Sequence, residues 1–500
     1  MSTLSWWDGA VVVAYAAATL GVGLSLGRRQ QNSQQYFLGG QRFPAILLLI
    51  SIVATETSTV TFLSVPGLAY RAGGNLTFLQ LALGLILGRM VVAWLLVPLY
   101  FTGQFISAYE VLQTRFGPAL QRGAAGLFLV TRTLADGLRL FLTALLLQHL
   151  AGWDLVPSIV VLSVATLLYT GLGGMRAVVW TDVVQWCIYI GGAVLALGLL
   201  LAEADGGLAG WYATAASAGK LQLWDTRWDW QEPYTLWAGV LGGMFLTMGT
   251  HGADQLTVQR LLCAGSVRAA RWALIGSGVV VAVQFGLFLL IGVSLAVVQQ
   301  QGRWEVPAAV AERADAVFGY YIVHGLPVGV VGLLVAAVLA AAMSTLSSSL
   351  NSSAGVVVRD FYRGWFGHPS EEEQVRVGRQ ATVACGVCQA AVAIGAAHSL
   401  ERSVVDAALS ITGWTTGGML GLFLLGCRRR VPRASAALFG LLAGLAAVAA
   451  TWWSTTLAWP WWAPLGTLTT VAVALLADRW GNPRLAARGE LTHTPPAPQE

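Results

Sequence analysis

The chain of 500 residues contains a single lysine, Lys220, and only 11% of its residues are charged. A soluble protein carries about 25%. A set of soluble domains is therefore excluded, and the 56% hydrophobic content fits an integral membrane protein. The formal net charge of +5 comes almost wholly from arginines placed between apolar runs. That placement suits membrane orientation and argues against a nucleic-acid partner, leaving lipid as the surrounding. Cysteine is also scarce: Cys187, Cys263, Cys385, Cys388 and Cys427, mostly inside or at the edge of apolar runs. "CGVC" at 385–388 has the spacing of a redox or zinc pair, but no second Cys or His cluster accompanies it, so these read as small apolar helix residues. The histidines His149, His251, His324, His368, His398 and His493 are scattered, which disfavours an enzyme. No basic region precedes the first apolar run, so the N-terminus does not read as a cleaved signal peptide.

What is present is a series of long apolar runs. A membrane-crossing helix needs about 20 apolar residues. About thirteen segments qualify: 6–26, 43–70, 76–101, 122–150, 155–172, 178–203, 236–259, 268–299, 323–358, 379–399, 404–427, 433–453 and 460–478. Arginine clusters follow the odd-numbered segments, as in "GRRQQ" at 27–31, "QRLLCAGSVRAAR" at 259–271 and "CRRRVPR" at 427–433. The positive-inside rule then puts the N-terminus outside and the C-terminus in the cytoplasm of a cell-membrane protein. In that orientation, segments two to six and seven to eleven are five-helix blocks of opposite topology. This is the mark of an inverted-repeat transporter. The expected fold is all-α: one N-terminal extra helix and loop (1–42), a first repeat (43–203), an extracellular loop (204–235), a second repeat (236–428), two C-terminal helices (429–480) and a cytoplasmic tail (481–500).

Two of these segments carry chemistry. Segment nine contains "AAMSTLSSSLNSS" at 341–353, hydroxyls that cost about 1–3 kcal/mol each if buried without partners. Segment two contains "SIVATETSTVTFLSVPGLAY" at 51–70, whose threonines favour a break near Ala54–Ser58, with Pro66-Gly67 a further weak point. A break at mid-membrane would expose carbonyl oxygens, and hard cations take oxygen ligands. Positions 341, 344, 345 and 348 share one helix face, and Ser344, Ser347 and Ser348 form an overlapping one. Asp182 on segment six could supply a charge to the second face, although hydroxyls can also act as packing glue and Asp182 as a helix-start carboxylate.

With "GGMRAVVWTDVVQ" at 173–185, "DQLTVQR" at 254–260 and "AAAMSTLSSSLNSS" at 340–353 followed by "RDFYR" at 359–363, the chain resembles the sodium:solute symporter family (solute carrier 5-like, LeuT-type fold) over roughly residues 5 to 430. The resemblance implies a five-plus-five inverted repeat with an extra leading helix, and sodium-driven import of a small organic solute: a carboxylate, an amino acid or a sugar-like molecule. It places a first sodium on Ala54, Thr57, Ala341, Ser344 and Thr345, and a possible second on Asp182, Ser344, Ser347 and Ser348. It implies a solute pocket among Glu56, Ser58, Thr61, Gln80, Arg132, Arg139, Thr250, His251, Thr412 and Trp414. The lysine and gating tyrosine of sugar-transporting members have no counterparts here.

Arg132, Asp136 and Arg139 on segment four are spaced to pair with one another, leaving one arginine over. Glu56 is its possible partner, or a solute carboxylate is. Arg89 is ambiguous in the same way, and His251 reads as a pocket wall or a proton relay. The alternative to a porter is a sodium-dependent sensor working with a separate signalling partner. About twenty polar residues after the last segment are too few for a kinase domain.

Overall fold

A computed structural model describes residues 5–27, 32–40, 42–103, 105–367, 369–399 and 404–480. The side chains of 146, 149–151, 309, 399 and 404–412 are not described, and the candidate Thr412 lies among these. Helices dominate, as they must where lipid offers no partner to a backbone N–H or C=O. In chain order the helices that matter are α1 (Trp6–Gly27), α2 (Ala45–Glu56), α3 (Thr59–Tyr70), α4 (Leu79–Leu95), α5 (Pro118–Ala151) and α6 (Leu155–Glu203). Then come α7 (Gly207–Ser217), α8 (Gly243–Gly252), α9 (Gln255–Leu262), α10 (Val267–Gln300) and α11 (Val330–Val356), followed by α12 (Glu371–Ser399), α13 (Val404–Gly426), α14 (Ala434–Ser454) and α15 (Trp462–Trp480).

Each of the thirteen expected segments falls on helix, but length and apolarity alone single out fewer crossings. Seven described helices are long and apolar enough, or eight if the bent pair α2–α3 is one span. Segments five and six run together as the 49-residue α6, broken only at Gly174, whose φ of 54° and ψ of −160° lie outside the helical region. Glycine suits that position because a side chain is strained at positive φ.

Segment two breaks as its threonines suggest. α2 ends at Glu56, Thr57 is extended (φ −83°, ψ 101°), and Ser58 caps α3 by accepting a bond from the Thr61 amide at 3.4 Å. The halves bend by 69°. The other expected weak point, Pro66-Gly67, is not a break: α3 continues through it to Tyr70. The glycine serves close approach instead, because a Cβ there would sit 2.4 Å from the Ala314 carbonyl oxygen.

α11 is the central helix. Its apolar window is 89% buried, against 17% for α1. Its start is fixed by the first helix of the chain. The Asp8 carboxylate on α1 accepts bonds from the Gly329 and Gly332 amides, both at 2.7 Å, satisfying donors that a helix start leaves open. Lys220 performs the converse task in the loop after α7. Its ammonium donates to the carbonyls of Ala69, Tyr70 and Arg71 at 2.9, 2.9 and 2.7 Å, closing the C-terminal end of α3.

Candidate cation and solute site

The break in segment two and the hydroxyl run of α11 face each other at the centre of the molecule. The Ser344 hydroxyl donates to the Ala54 carbonyl at 2.8 Å and lies 3.1 Å from that of Ala341. The Thr345 hydroxyl lies 3.0 Å from the Thr55 carbonyl, 3.5 Å from that of Thr57 and 3.3 Å from that of Ala341. All five residues assigned to a first sodium are thus brought together, and the Thr55 carbonyl, which the sequence reading missed, joins them. Ser344 and Thr345 are buried. Hard oxygen donors in a dry centre are the chemistry a sodium ion takes.

Further along the run, Ser349 and Ser352 serve packing. The Ser349 hydroxyl accepts from Gln389 on α12 at 3.2 Å, and Ser352 bonds back to the Ser349 carbonyl at 3.0 Å. The first of these joins two helices, a kind of bond that stabilises a bundle in lipid by about 1 kcal/mol, and the second stays within α11. The answer to the cost of the hydroxyls is therefore mixed: ion-ligand geometry at 344 and 345, glue towards 349–352.

The second group is assembled differently from the expected set. Asp182 is buried, and its Oδ2 accepts from Ser51 at 2.5 Å and lies 3.4 Å from the Thr55 hydroxyl. Ser348 lies 3.0 Å from the same Thr55 hydroxyl, while Ser347 bonds back to the Ser344 carbonyl at 3.1 Å. Between Asp182 and Ser348 stands a residue that the sequence reading placed in a cytoplasmic arginine cluster. Arg260 is buried: its Nη2 is 3.0 Å from Asp182 Oδ2 and in close contact with Ser348, and its Nε is 2.9 Å from the Ser51 hydroxyl. It arrives there because the chain breaks at Ala253–Asp254 and α9 turns inward. The available signal was Arg260 ending the "DQLTVQR" stretch, a feature composition does not explain.

Segment four pairs as its spacing suggests, and only the arginine expected to be left over is corrected. Arg139 bonds Asp136 at 2.6 Å, and Arg132 bonds Asp254 at 2.8 Å with Asp136 at 3.7 Å. Neither arginine is left over, because Asp254 supplies a second carboxylate. Glu56 pairs with Arg89 of α4 instead, and His251 completes the group, 3.0 Å from Arg89 and 2.9 Å from the Thr250 hydroxyl. Arg89 is fully buried and Glu56 is 24% exposed.

The remaining solute candidates are dispersed. The Gln80 amide holds the loop that follows α7, donating to Tyr234 O at 2.9 Å and accepting from the Asp225 amide at 3.2 Å. Ser58 and Thr61 sit at the start of α3, and the Trp414 ring packs on Trp452 of α14, with centroids 5.1 Å apart. Arg132, Asp254, Thr250, Thr415 and Tyr109 line a cavity of about 40 Å³, room for a few water molecules.

Residues 36–444 match the model of the sodium:solute symporter family. The chain is 32% identical over 465 residues to the sodium/sialic acid symporter SiaT of Proteus mirabilis (strain HI4320), covering 92% of each. It is 30% identical to the human sodium/iodide cotransporter, over 89% of this chain and 69% of that one. A solved substrate-bound outward-open Na+-coupled sialic acid symporter superposes with a TM-score of 0.86 at 30% identity, covering 95% of this chain and 98% of that one. The fold is accordingly LeuT-like and the coupled ion is sodium. The protein is a multi-pass membrane transporter of a small solute, not an enzyme, and the chain belongs to the sodium:solute symporter family.

Proposed function

We propose that the protein imports a small organic carboxylate with sodium by alternating access. The first sodium sits among Ala54, Thr55, Thr57, Ala341, Ser344 and Thr345, and a second beside Asp182, Ser344, Ser347 and Ser348. The observation that carries the reading is the convergence of Ser344 and Thr345 on the carbonyls of the broken helix. The thirteen segments are read as thirteen crossings, with the N-terminus outside and the C-terminus inside, on the strength of the arginine distribution. Sodium binding pins α2 to α11 and completes a solute pocket beside Glu56. Each sodium gains about 2.3 kcal/mol per 100 mV of membrane potential.

We assign the carboxylate to Arg139 rather than Arg132. Arg132 lies between Asp254 and Asp136 and is nearly buried, whereas Arg139 is held by Asp136 through one nitrogen and is 18% exposed. Guanidinium binds carboxylate through paired N–H bonds, so one fork remains for a solute. Similarity to the sialic acid symporter, whose solute combines a carboxylate with a sugar-like body, supports this choice. The test is a thermal-shift screen of carboxylated sugars, monocarboxylates, amino acids and neutral sugars, in sodium and then in potassium. Stabilisation by carboxylates in sodium alone is the expected result. Equal stabilisation in potassium overturns the sodium site, and a response confined to neutral sugars overturns Arg139 as anchor.

A further inference from the structure

We propose that the Arg260 guanidinium is a tethered cation that occupies the second sodium position, and that sodium binds there only by displacing it. The inference rests on the second-sodium reading above. Its ground is that the ligands are shared. Arg260 Nη2 contacts both Asp182 Oδ2, at 3.0 Å, and the Ser348 hydroxyl, two of the groups assigned to the ion. Nε takes the Ser51 hydroxyl at 2.9 Å, and Ser51 in turn donates to Asp182 at 2.5 Å. Nη1 returns to the Leu256 carbonyl of its own helix at 2.8 Å. The guanidinium is thus held in the site by one carboxylate and two hydroxyls.

Charge makes the two occupants alternatives. Asp182 and Arg260 together are neutral, and sodium added to that pair would leave a net buried positive charge, which a low-dielectric interior penalises heavily. Asp182 Oδ1 is buried without a hydrogen-bond partner among the described residues, so the carboxylate has an unused oxygen for an entering ion while Oδ2 releases the arginine. The tether also has a place in the transport cycle. Arg260 lies on α9, whose cap Asp254 is bonded by Arg132 of α5 at 2.8 Å. Displacing the guanidinium loosens the hold of α9 on α2, α6 and α11, the helices that carry both ions.

The experiment is equilibrium binding of radioactive sodium to the purified protein, comparing wild type, R260Q, R260K and D182N. If Arg260 competes, R260Q binds its second sodium tighter by about tenfold or more, since a charged competitor has gone. R260K is expected between R260Q and wild type, and D182N loses the second sodium. Sodium binding that is unchanged or weaker in R260Q overturns the proposal, making Arg260 a structural partner or a helper of the ion. One sodium per chain in wild type, R260Q and D182N alike shows that the second-sodium reading itself has failed. Should R260Q not fold, S51A removes the Nε acceptor; Ser51 is not itself an assigned sodium ligand, and losing its bond to Asp182 leaves that carboxylate oxygen freer for the ion. It is expected to tighten the second sodium by about threefold, and no change or weakening overturns the proposal.

Discussion

The Ser344 hydroxyl reaches the Ala54 carbonyl at 2.8 Å, across 290 residues of chain. Its neighbour Thr345 reaches the Thr55 carbonyl at 3.0 Å. Two bonds therefore fasten the central helix to the end of α2, at oxygens a cation would claim. Removing a hydroxyl here weakens both the fastening and the ion.

Thr345→Ala deletes one proposed sodium ligand while keeping a small, helix-compatible side chain. Losing one ligand worth about 1.4 kcal/mol weakens sodium about tenfold. Half-saturating sodium for uptake or binding is therefore expected to rise by that factor or more. An unchanged sodium dependence places the ion elsewhere.

Arg132 and Arg139 are expected to part company. Arg139→Gln takes one of two counter-charges from buried Asp136 and should cost some stability, but with Arg132 still 3.7 Å from that carboxylate the transporter should stay folded, with solute binding reduced at least tenfold, the scale of one lost charged anchor. Arg132→Gln takes a shared counter-charge from buried Asp136 and partly exposed Asp254, so folding should suffer first, by up to about 3 kcal/mol. Size-exclusion profiles and melting temperatures separate the two. A well-folded R132Q that no longer binds solute reverses the assignment.

Legibility in the sequence followed the conflict between residue and surroundings. Hydroxyls in an apolar run, and threonines clustered at 55–61, are costly in lipid, and that cost pointed to the broken helix and the oxygens facing it. Arg260 gave no such sign. An arginine just past an apolar run reads as an interface residue, and only the inward turn at Ala253–Asp254 buries it. Asp254 as the counter-charge of Arg132 was equally hidden, since helical spacing reports partners three or four residues away, not 122. Glu56 was recognised as a charge needing a partner, but choosing Arg89 over the segment-four arginines required the packing of α4.

The Glu56–Arg89 pair carries its own expectation. Glu56→Gln leaves the fully buried Arg89 without its carboxylate, and breaking such a pair costs about 3–5 kcal/mol, less here because Glu56 is partly exposed. A clear fall in melting temperature is expected. In E56Q/R89Q neither charge remains, so part of that loss should return. A double variant no more stable than E56Q removes the pair from the list of stabilising contacts.

Asp8 lies on α1, more than 300 residues from α11 in the chain, yet it caps that helix through Gly329 and Gly332. Asp8→Ala is expected to cost about 1 kcal/mol, and Asp8→Asn, which keeps an acceptor oxygen, less. Because α11 carries Ser344 and Thr345, the alanine variant should also lower sodium affinity modestly. A stability loss with identical sodium binding in both variants limits Asp8 to scaffolding.

Lys220, the lone lysine, also makes the chain a one-channel chemical reporter. The residue is 7% exposed at rest, its amine sheltered under the last carbonyls of α3. Burial, and then the charge of Arg71, hold its pKa below the ordinary lysine value at rest; the burial part of that shift is lost once the side chain leaves the shelter, so its reaction reports access. Acylation of this one side chain, read by mass, then counts how often the C-terminal end of α3 frays, and comparing sodium with potassium shows whether the ion holds that end shut.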